Sequence, residues 1–317
     1  MYQYIVRRVL QAIPVVLIVS FLIFFLINLA PGDPLARLQN PGITQEDIQQ
    51  KYEQLGLDDP LLVRYGRWLG DFVRGDLGYS MGSSRQPVAK LIGERIAPTL
   101  YLTVGAMLLS IIVAIPIGVI SATKQYSLFD YIATFGAFIG VSVPNFFFGL
   151  LALYVLSLKF PVFPSGGFSN AVGANNFWTH LHHAILPVVT LGLARVASMT
   201  RYMRSSMLEV IKKDYIRTAR SKGLKERVVI YKHAFRNALI PVVTLIGLSV
   251  PMIFSGAVIT EQVFSWPGMG KLLIDSVFKR NYTVMMAIDV IMCVLVYVGN
   301  FAADILYVVV DPRIRYD

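Results

Sequence analysis

Gly268, Met269, Gly270 and Lys271 come nearest in this chain to a phosphate-binding loop. Such a loop, G-x-x-x-x-G-K-[ST], cradles phosphates with backbone N–H groups and holds magnesium through its hydroxyl. Leu272 stands where the hydroxyl is required and Ser265 where the first glycine should be. The chain by itself is therefore not expected to hydrolyse nucleotide. The run His180, Leu181, His182, His183 offers imidazoles to a metal, but no acidic or thiol partner is near in sequence. We read it as an interfacial, partly solvated cluster and expect no metal. A single cysteine, Cys293, excludes an intrachain disulfide and a thiolate metal cluster and reads as a small packing residue.

Two further groups are more informative. Arg195, Asp289 and Asp304 lie inside long apolar runs, where charge is costly in lipid. An ion pair of Arg195 with Asp289 or Asp304, snorkelling of Arg195 and Asp304 toward an interface, and direct contact with a substrate all satisfy that cost. The other group is the basic segment Met207 to Pro241, set between two apolar runs. From Leu208 to Ser221 the spacing predicts a helix, with Ile211, Tyr215, Ile216 and Ala219 toward one side and Lys212, Lys213, Arg217 and Arg220 over the rest. Gly223 suits the left-handed position that ends a helix, and a second helical stretch from Lys225 to Asn237 leads back at Pro241. An elbow of this kind fits a groove on a soluble partner; it equally fits anionic lipid headgroups.

The elements that position these residues follow from composition. With 55% hydrophobic and 15% charged residues among 317, the chain is more apolar than soluble domains, at roughly 45–50% and 25%. Its basic residues, net +10, are spread between apolar runs, so nucleic acid is not an expected partner. Runs of about 20 apolar residues cross a bilayer, and six fit: about 9–30, 99–122, 131–158, 184–200, 238–259 and 284–310. The first run is too long for a signal-peptide core and no small-residue cleavage motif follows it, so it is read as a retained span.

Between the first two spans, residues 31–95 read as a small helical extracytoplasmic cap. There Thr44, Asp47 and Gly56 bound one helix, and Asp59 and Pro60 open another with Leu61, Tyr65, Trp68, Leu69 and Phe72 on one face. Residues 96–310 form the five-helix core with the elbow at 207–241, and 311–317 a tail. The side holding Arg7, Arg8, Lys124, the elbow, Arg313 and Arg315 outweighs the other, whose basic residues sit mostly in the long first loop. By the positive-inside rule both termini and the elbow are cytoplasmic. Pro116, Pro144, Pro187 and Pro251, with Gly136, Gly140, Gly149, Gly247 and Gly256, predict a kinked, closely packed bundle.

The string Asp214 Tyr215 Ile216 Arg217 Thr218 Ala219 Arg220 Ser221 Lys222 Gly223 Leu224, closed by Pro241, resembles the EAA motif of ABC importer permeases in the form found in the dipeptide, oligopeptide and nickel permease family. Pro31 to Pro34, Gly75 to Ser80 with Pro87, Ser142 to Pro144, His233, Arg236, Asn237, Glu261 to Gly270 and Asp311 to Arg315 are similar to that family as well, so the resemblance covers nearly the whole chain. Arg217 replaces the glutamate of the general motif, and the interval from Gly223 to the proline is longer than in sugar permeases; both departures point to the peptide branch.

The resemblance implies an all-α type I importer permease fold with six transmembrane helices in the inner (cytoplasmic) membrane. It implies a non-catalytic translocation subunit, paired with a homologous second permease and contacting membrane lipid. Two cytoplasmic ATPases that bind ATP and magnesium would dock on the elbows, and an extracytoplasmic binding protein would deliver di- or oligopeptides. The chain would bind no cofactor of its own. Asp214, Tyr215, Arg217, Thr218, Ala219, Arg220, Gly223, Leu224 and Pro241 are the implied coupling residues, with Tyr215, Ala219, Gly223 and Leu224 at the docking surface and Arg217 and Arg220 as its electrostatic partners. A nickel or nickel-chelate permease of the same family, a proton-coupled carrier using Asp289 and Asp304, and a receptor or scaffold that binds a cytoplasmic partner are the alternative readings.

Overall fold

A computed structural model describes residues 2–29, 58–81, 85–168, 177–254 and 257–310. Expectations for Pro31 to Pro34, for the helix between Thr44 and Gly56, for Gly256 and for the tail at 311–317 lie outside these residues. The described residues form helices and no named strands; a lone bridge joins Tyr79 to Pro87.

Among the described residues four helices are long and apolar enough to cross a membrane: α1 (Tyr2–Leu29), α3 (Val88–Thr123), α6 (Phe177–Ile211) and α12 (Tyr282–Val310). Two bent pairs bring the number to six when each is counted as one span. The predicted single span at 131–158 is instead α4 (Leu128–Ser142) and α5 (Asn145–Leu153), the latter extended by a π-helical stretch at Tyr154–Lys159, with a bend of 100°. Pro144 forces it: the preceding Val143 is extended, with φ −84° and ψ 124°, because a following proline disfavours helical backbone. The predicted span at 238–259 is likewise α8 (Phe235–Ser249), then α9 (Pro251–Phe254) and α10 (Val258–Val263), with a milder 41° bend at Pro251. Pro116 and Pro187, by contrast, stay inside continuous helices.

Three elements start well ahead of their expected bounds, α1 among them at Tyr2 rather than near Val9. Helix α3 starts at Val88 rather than near Thr99, and α6 starts at Phe177, which places the three histidines on a helix. His182 Nε2 donates to the Val162 carbonyl at 2.9 Å and His183 Nδ1 to that of Gly166 at 3.3 Å, while His180 stacks on Phe168. Their positions secure the loop ahead of α6.

Helices α3 and α6 make the most extensive pairing in the molecule. Small residues permit it: a Cβ on Gly118 would lie 2.6 Å from Met203 Cβ, and one on Gly140 of α4 would lie 2.9 Å from Ala197 Cβ. The amphipathic α2 (Leu61–Val73) packs on the first span. Its Tyr65 and Trp68 rings pack against Phe21 and Phe24 of α1, and its Arg64 donates to Asn28 Oδ1 at 2.6 Å. Tyr65 also donates to the Leu17 carbonyl, so α2 lies along the α1 span.

At the end of the bundle opposite the elbow, Glu261 of α10 is fully buried. Its carboxylate accepts from Thr99 Oγ1 at 2.8 Å and from the Lys271 amide at 2.9 Å, at the start of α11 (Met269–Phe278). Thr99 Oγ1 in turn accepts from the Met269 amide, and Trp266 Nε1 donates to the Pro98 carbonyl. The Gly-Met-Gly-Lys string is thus an anion cradle after all, at a helix N-terminus where amides face outward. The anion it holds is the chain's own carboxylate. A Cβ on Gly268 would meet Glu261 Oε1 at 2.2 Å.

Candidate functional site

The elbow begins where α6 stops. The expected continuous helix from Leu208 to Ser221 is broken: α6 ends at Ile211, Lys213 is extended with φ −70° and ψ 148°, and α7 (Asp214–Ser221) starts afresh. The break lets α7 turn Ile216 and Ala219 into the bundle. Both are buried in a cluster with Ala114, Val119 and Ala122 of α3, Met199, Met203 and Met207 of α6, and Ala238 and Val242 of α8. Ala219 is therefore an anchor and not part of a docking surface, a correction with a simple cause: its spacing of three from Ile216 puts both on the inward face of α7.

Asp214, Tyr215, Arg217, Thr218, Gly223 and Leu224 are exposed. Gly223 has φ +76°, its amide donates to Arg220 O at 2.9 Å, and the Leu224 amide donates to Ala219 O at 3.4 Å. These paired 5→2 and 6→1 bonds form a Schellman cap. A helical turn at Glu226–Val228 and a π-helical stretch at Val229–Ala234 lead from the turn into α8. Pro241 is exposed within α8 and marks no boundary.

Arg220 does not offer a free charge. Its Nη2 donates to Glu226 Oε1 at 2.7 Å and its Nε to Oε2 at 3.2 Å, closing the two arms of the elbow on each other. Glu226 holds the guanidinium above even its high ordinary value, chiefly by hydrogen bonding and against a smaller burial cost. Arg217 lies 3.7 Å from Asp214, a loose pair in water, and remains 78% exposed. Lys213 pairs with Glu209 of α6 at 2.9 Å across the helix break.

The root of the elbow holds a charge knot that sequence reading missed. Asp130, at the start of α4, is 3% exposed. It accepts from Arg204 Nε at 2.6 Å and Nη2 at 2.7 Å, from the Tyr126 amide at 3.0 Å, and from Ser121 Oγ. Ser127 caps the helix from below by accepting from the Asp130 amide. A bidentate arginine–carboxylate pair is both strong and directional, so α6, which carries the elbow, is pinned to the turn between α3 and α4. An aspartate three residues after a capping serine, at the edge of an apolar run, was the available signal. Which cation would reach it was not visible.

Of the charges expected inside the spans, Asp304 pairs with Arg8 of α1 at 2.8 Å, and not with Arg195. The neighbouring Tyr297 hydroxyl donates to the Arg8 carbonyl. Among the described residues Arg195 and Asp289 have no ion pair, and Arg195 Nη1 is buried with no hydrogen-bond partner.

A bundle of crossing helices with a protruding helix–turn–helix elbow defines a membrane permease core. Residues 114–316 match the family model described as binding-protein-dependent transport system inner membrane component, and residues 1–103 match the model of its N-terminal part. The chain belongs to this family of multi-pass ABC importer permeases. It is 48% identical over 316 residues to the oligopeptide transport system permease protein AppB of Bacillus subtilis (strain 168), with 100% of both chains covered. Identity to the glutathione transport system permease protein GsiC of Escherichia coli (strain K12) is 39%, again with 100% of both chains covered. An inward-facing structure of the MetNI methionine ABC transporter superposes with a TM-score of 0.57 at 18% identity, covering 71% of this chain and 98% of that one. The type I permease fold is thereby shared.

Proposed function

We propose that this chain is one of two permease subunits in an ATP-driven importer of short peptides. The observation that carries the reading is the elbow: Ile216 and Ala219 root it in the bundle while Tyr215, Arg217, Thr218 and Leu224 stay exposed around a Schellman turn. A rigid arm with an apolar and basic tip suits a groove on a soluble ATPase. Relatives named for oligopeptide and glutathione transport support peptides as the cargo.

In this reading both termini and the elbow are cytoplasmic, which the distribution of Lys and Arg supports. ATP and magnesium bind the partner ATPases, a second permease completes the pore, and an extracytoplasmic binding protein presents the peptide. ATPase closure shifts the elbows and with them the access of the pore, which requires different elbow contacts in the two states.

The test is purification of the tagged chain from native membranes in mild detergent, followed by reconstitution. Recovery of a second six-span permease with ATPases, and uptake of a labelled tetra-alanine peptide that requires ATP, is the expected result. A chain recovered alone that accumulates peptide on a proton gradient overturns the reading, and ATP-dependent uptake of nickel but not peptide replaces its cargo.

A further inference from the structure

Arg195, Ser198, Tyr202 and Ser205 follow one another on α6 at intervals of three, four and three residues, which places them in one stripe along the helix. Most of the rest of α6 meets neighbouring helices, apart from the exposed Arg201, whose guanidinium lies 5.7 Å from the centroid of the Phe138 ring of α4. Gly192 packs on Ala106 and Leu109 of α3, Ala197 on Gly140 of α4, Met203 on Gly118, and Ser206 donates to the Ala238 carbonyl of α8. The stripe is open at its elbow end, where Tyr202 is 53% exposed and Ser205 is exposed, while Arg195 Nη1 is buried. Arg195 and Ser198 are half-buried, and none of the four side chains has a hydrogen-bond partner among the described residues.

Arg195 is nine residues from Arg204, which is pinned at the elbow end of the span. That separation is about 13 Å of helix rise, close to the middle of a hydrocarbon core about 30 Å thick. A guanidinium at this depth, with the Ser198 hydroxyl one turn away, is costly against lipid and belongs beside water or protein. The lipid-compatible face is elsewhere, on α4, where Phe135 and Ile139 are exposed.

We propose that this stripe of α6 lines the substrate path, and that the Arg195 guanidinium is the station that receives the carboxylate of a passing peptide. The inference rests on the peptide-importer reading and gives it a residue. Every free peptide ends in a carboxylate, and arginine's planar fork is shaped to take one with two parallel hydrogen bonds. Ser198, Tyr202 and Ser205 continue the path toward the cytoplasmic mouth with groups that both donate and accept, as a peptide backbone needs. Their lack of fixed partners leaves them available to moving cargo.

The test uses the whole complex in membrane vesicles, with Cys293→Ser removing the native thiol. Ser198→Cys and Ser205→Cys are near-isosteric and are exposed to a sulfonate-bearing methanethiosulfonate and to its trimethylammonium counterpart, with and without ATP. Both positions are expected to react in at least one nucleotide state. At Ser198→Cys the anionic reagent is expected to gain relative to the cationic one, and Arg195→Gln to lower that rate ratio about tenfold, the lower range of charge focusing in a cleft; Arg195→Lys keeps the ratio. No reaction at either position in any state overturns the proposal and assigns the stripe to a sealed contact with the second permease. Reaction with a ratio indifferent to Arg195→Gln overturns the carboxylate station. ATP-driven uptake of labelled tetra-alanine in the same vesicles is read separately: its absence from the Cys293→Ser complex removes the importer reading, while the thiol rates still decide whether the stripe is a water path.

Discussion

Replacing Asp130 by alanine strands the Arg204 guanidinium at the root of the elbow. Asp130 is 3% exposed and takes five hydrogen bonds, two from Arg204 and one each from the Tyr126 amide, Ser121 and Thr134. Breaking a buried pair by removing one partner costs about 3–5 kcal/mol, because the survivor is left uncompensated. Arg204 keeps 25% of its side chain exposed, so the lower end of that range applies, or a shift of about a hundredfold in an opening equilibrium.

The shift should be read at the Ser127 amide, which donates to the Lys124 carbonyl at 3.1 Å in the turn that Asp130 ties to Arg204 and keeps its acceptor when Asp130 is replaced. Hydrogen exchange of that amide in the purified complex is expected to speed up about a hundredfold in Asp130→Ala. Asp130→Leu combined with Arg204→Met should recover most of the protection, since an apolar pair can replace a buried ion pair with little loss. Unchanged exchange in the single variant, or a double variant as unprotected as the sum of both singles, refutes the claim that this pair fixes the elbow to the bundle.

Other perturbations separate anchoring from docking. Gly223→Arg adds a bulky cation at the turn and forces a side chain into φ +76°, at a cost of about 1–2 kcal/mol; it should expel the ATPases from the purified complex, and normal ATP-dependent uptake at normal expression would sink the docking assignment. Gly268→Ala drives a methyl to within 2.2 Å of Glu261 Oε1 and should destabilise by about 1–3 kcal/mol as an overpacked site, seen as faster protease cleavage between α10 and α11 with elbow exchange unchanged. Glu226→Ala removes an exposed pair worth about 0.2–1 kcal/mol, so melting of the complex should hardly move, whereas transport per ATP hydrolysed falls as the two arms lose registry; a fall in neither quantity removes the clamp role of Arg220.

The sequence by itself determined the membrane class, the number of spans, the elbow and the family. Each rests on local properties: apolar run length, the basic segment, and a glycine where a helix must turn left-handed. Gly223 shows how far that goes, since its conformational demand is complete within five residues. What only the tertiary structure decided is which residues meet. Asp130 lies 74 positions from Arg204 and Thr99 162 positions from Glu261, and no periodicity reports such pairings.

Ala219 carries the same lesson at short range. Its string placed it in a docking motif, but its spacing from Ile216 and the break at Lys213 send it into the core. The charges within the spans were visible one by one. Their fates, Asp304 to Arg8 and Arg195 half-buried without an ion pair among the described residues, depend on helix rotation, which is set by packing small residues such as Gly118 and Gly140 against neighbours that the sequence does not name.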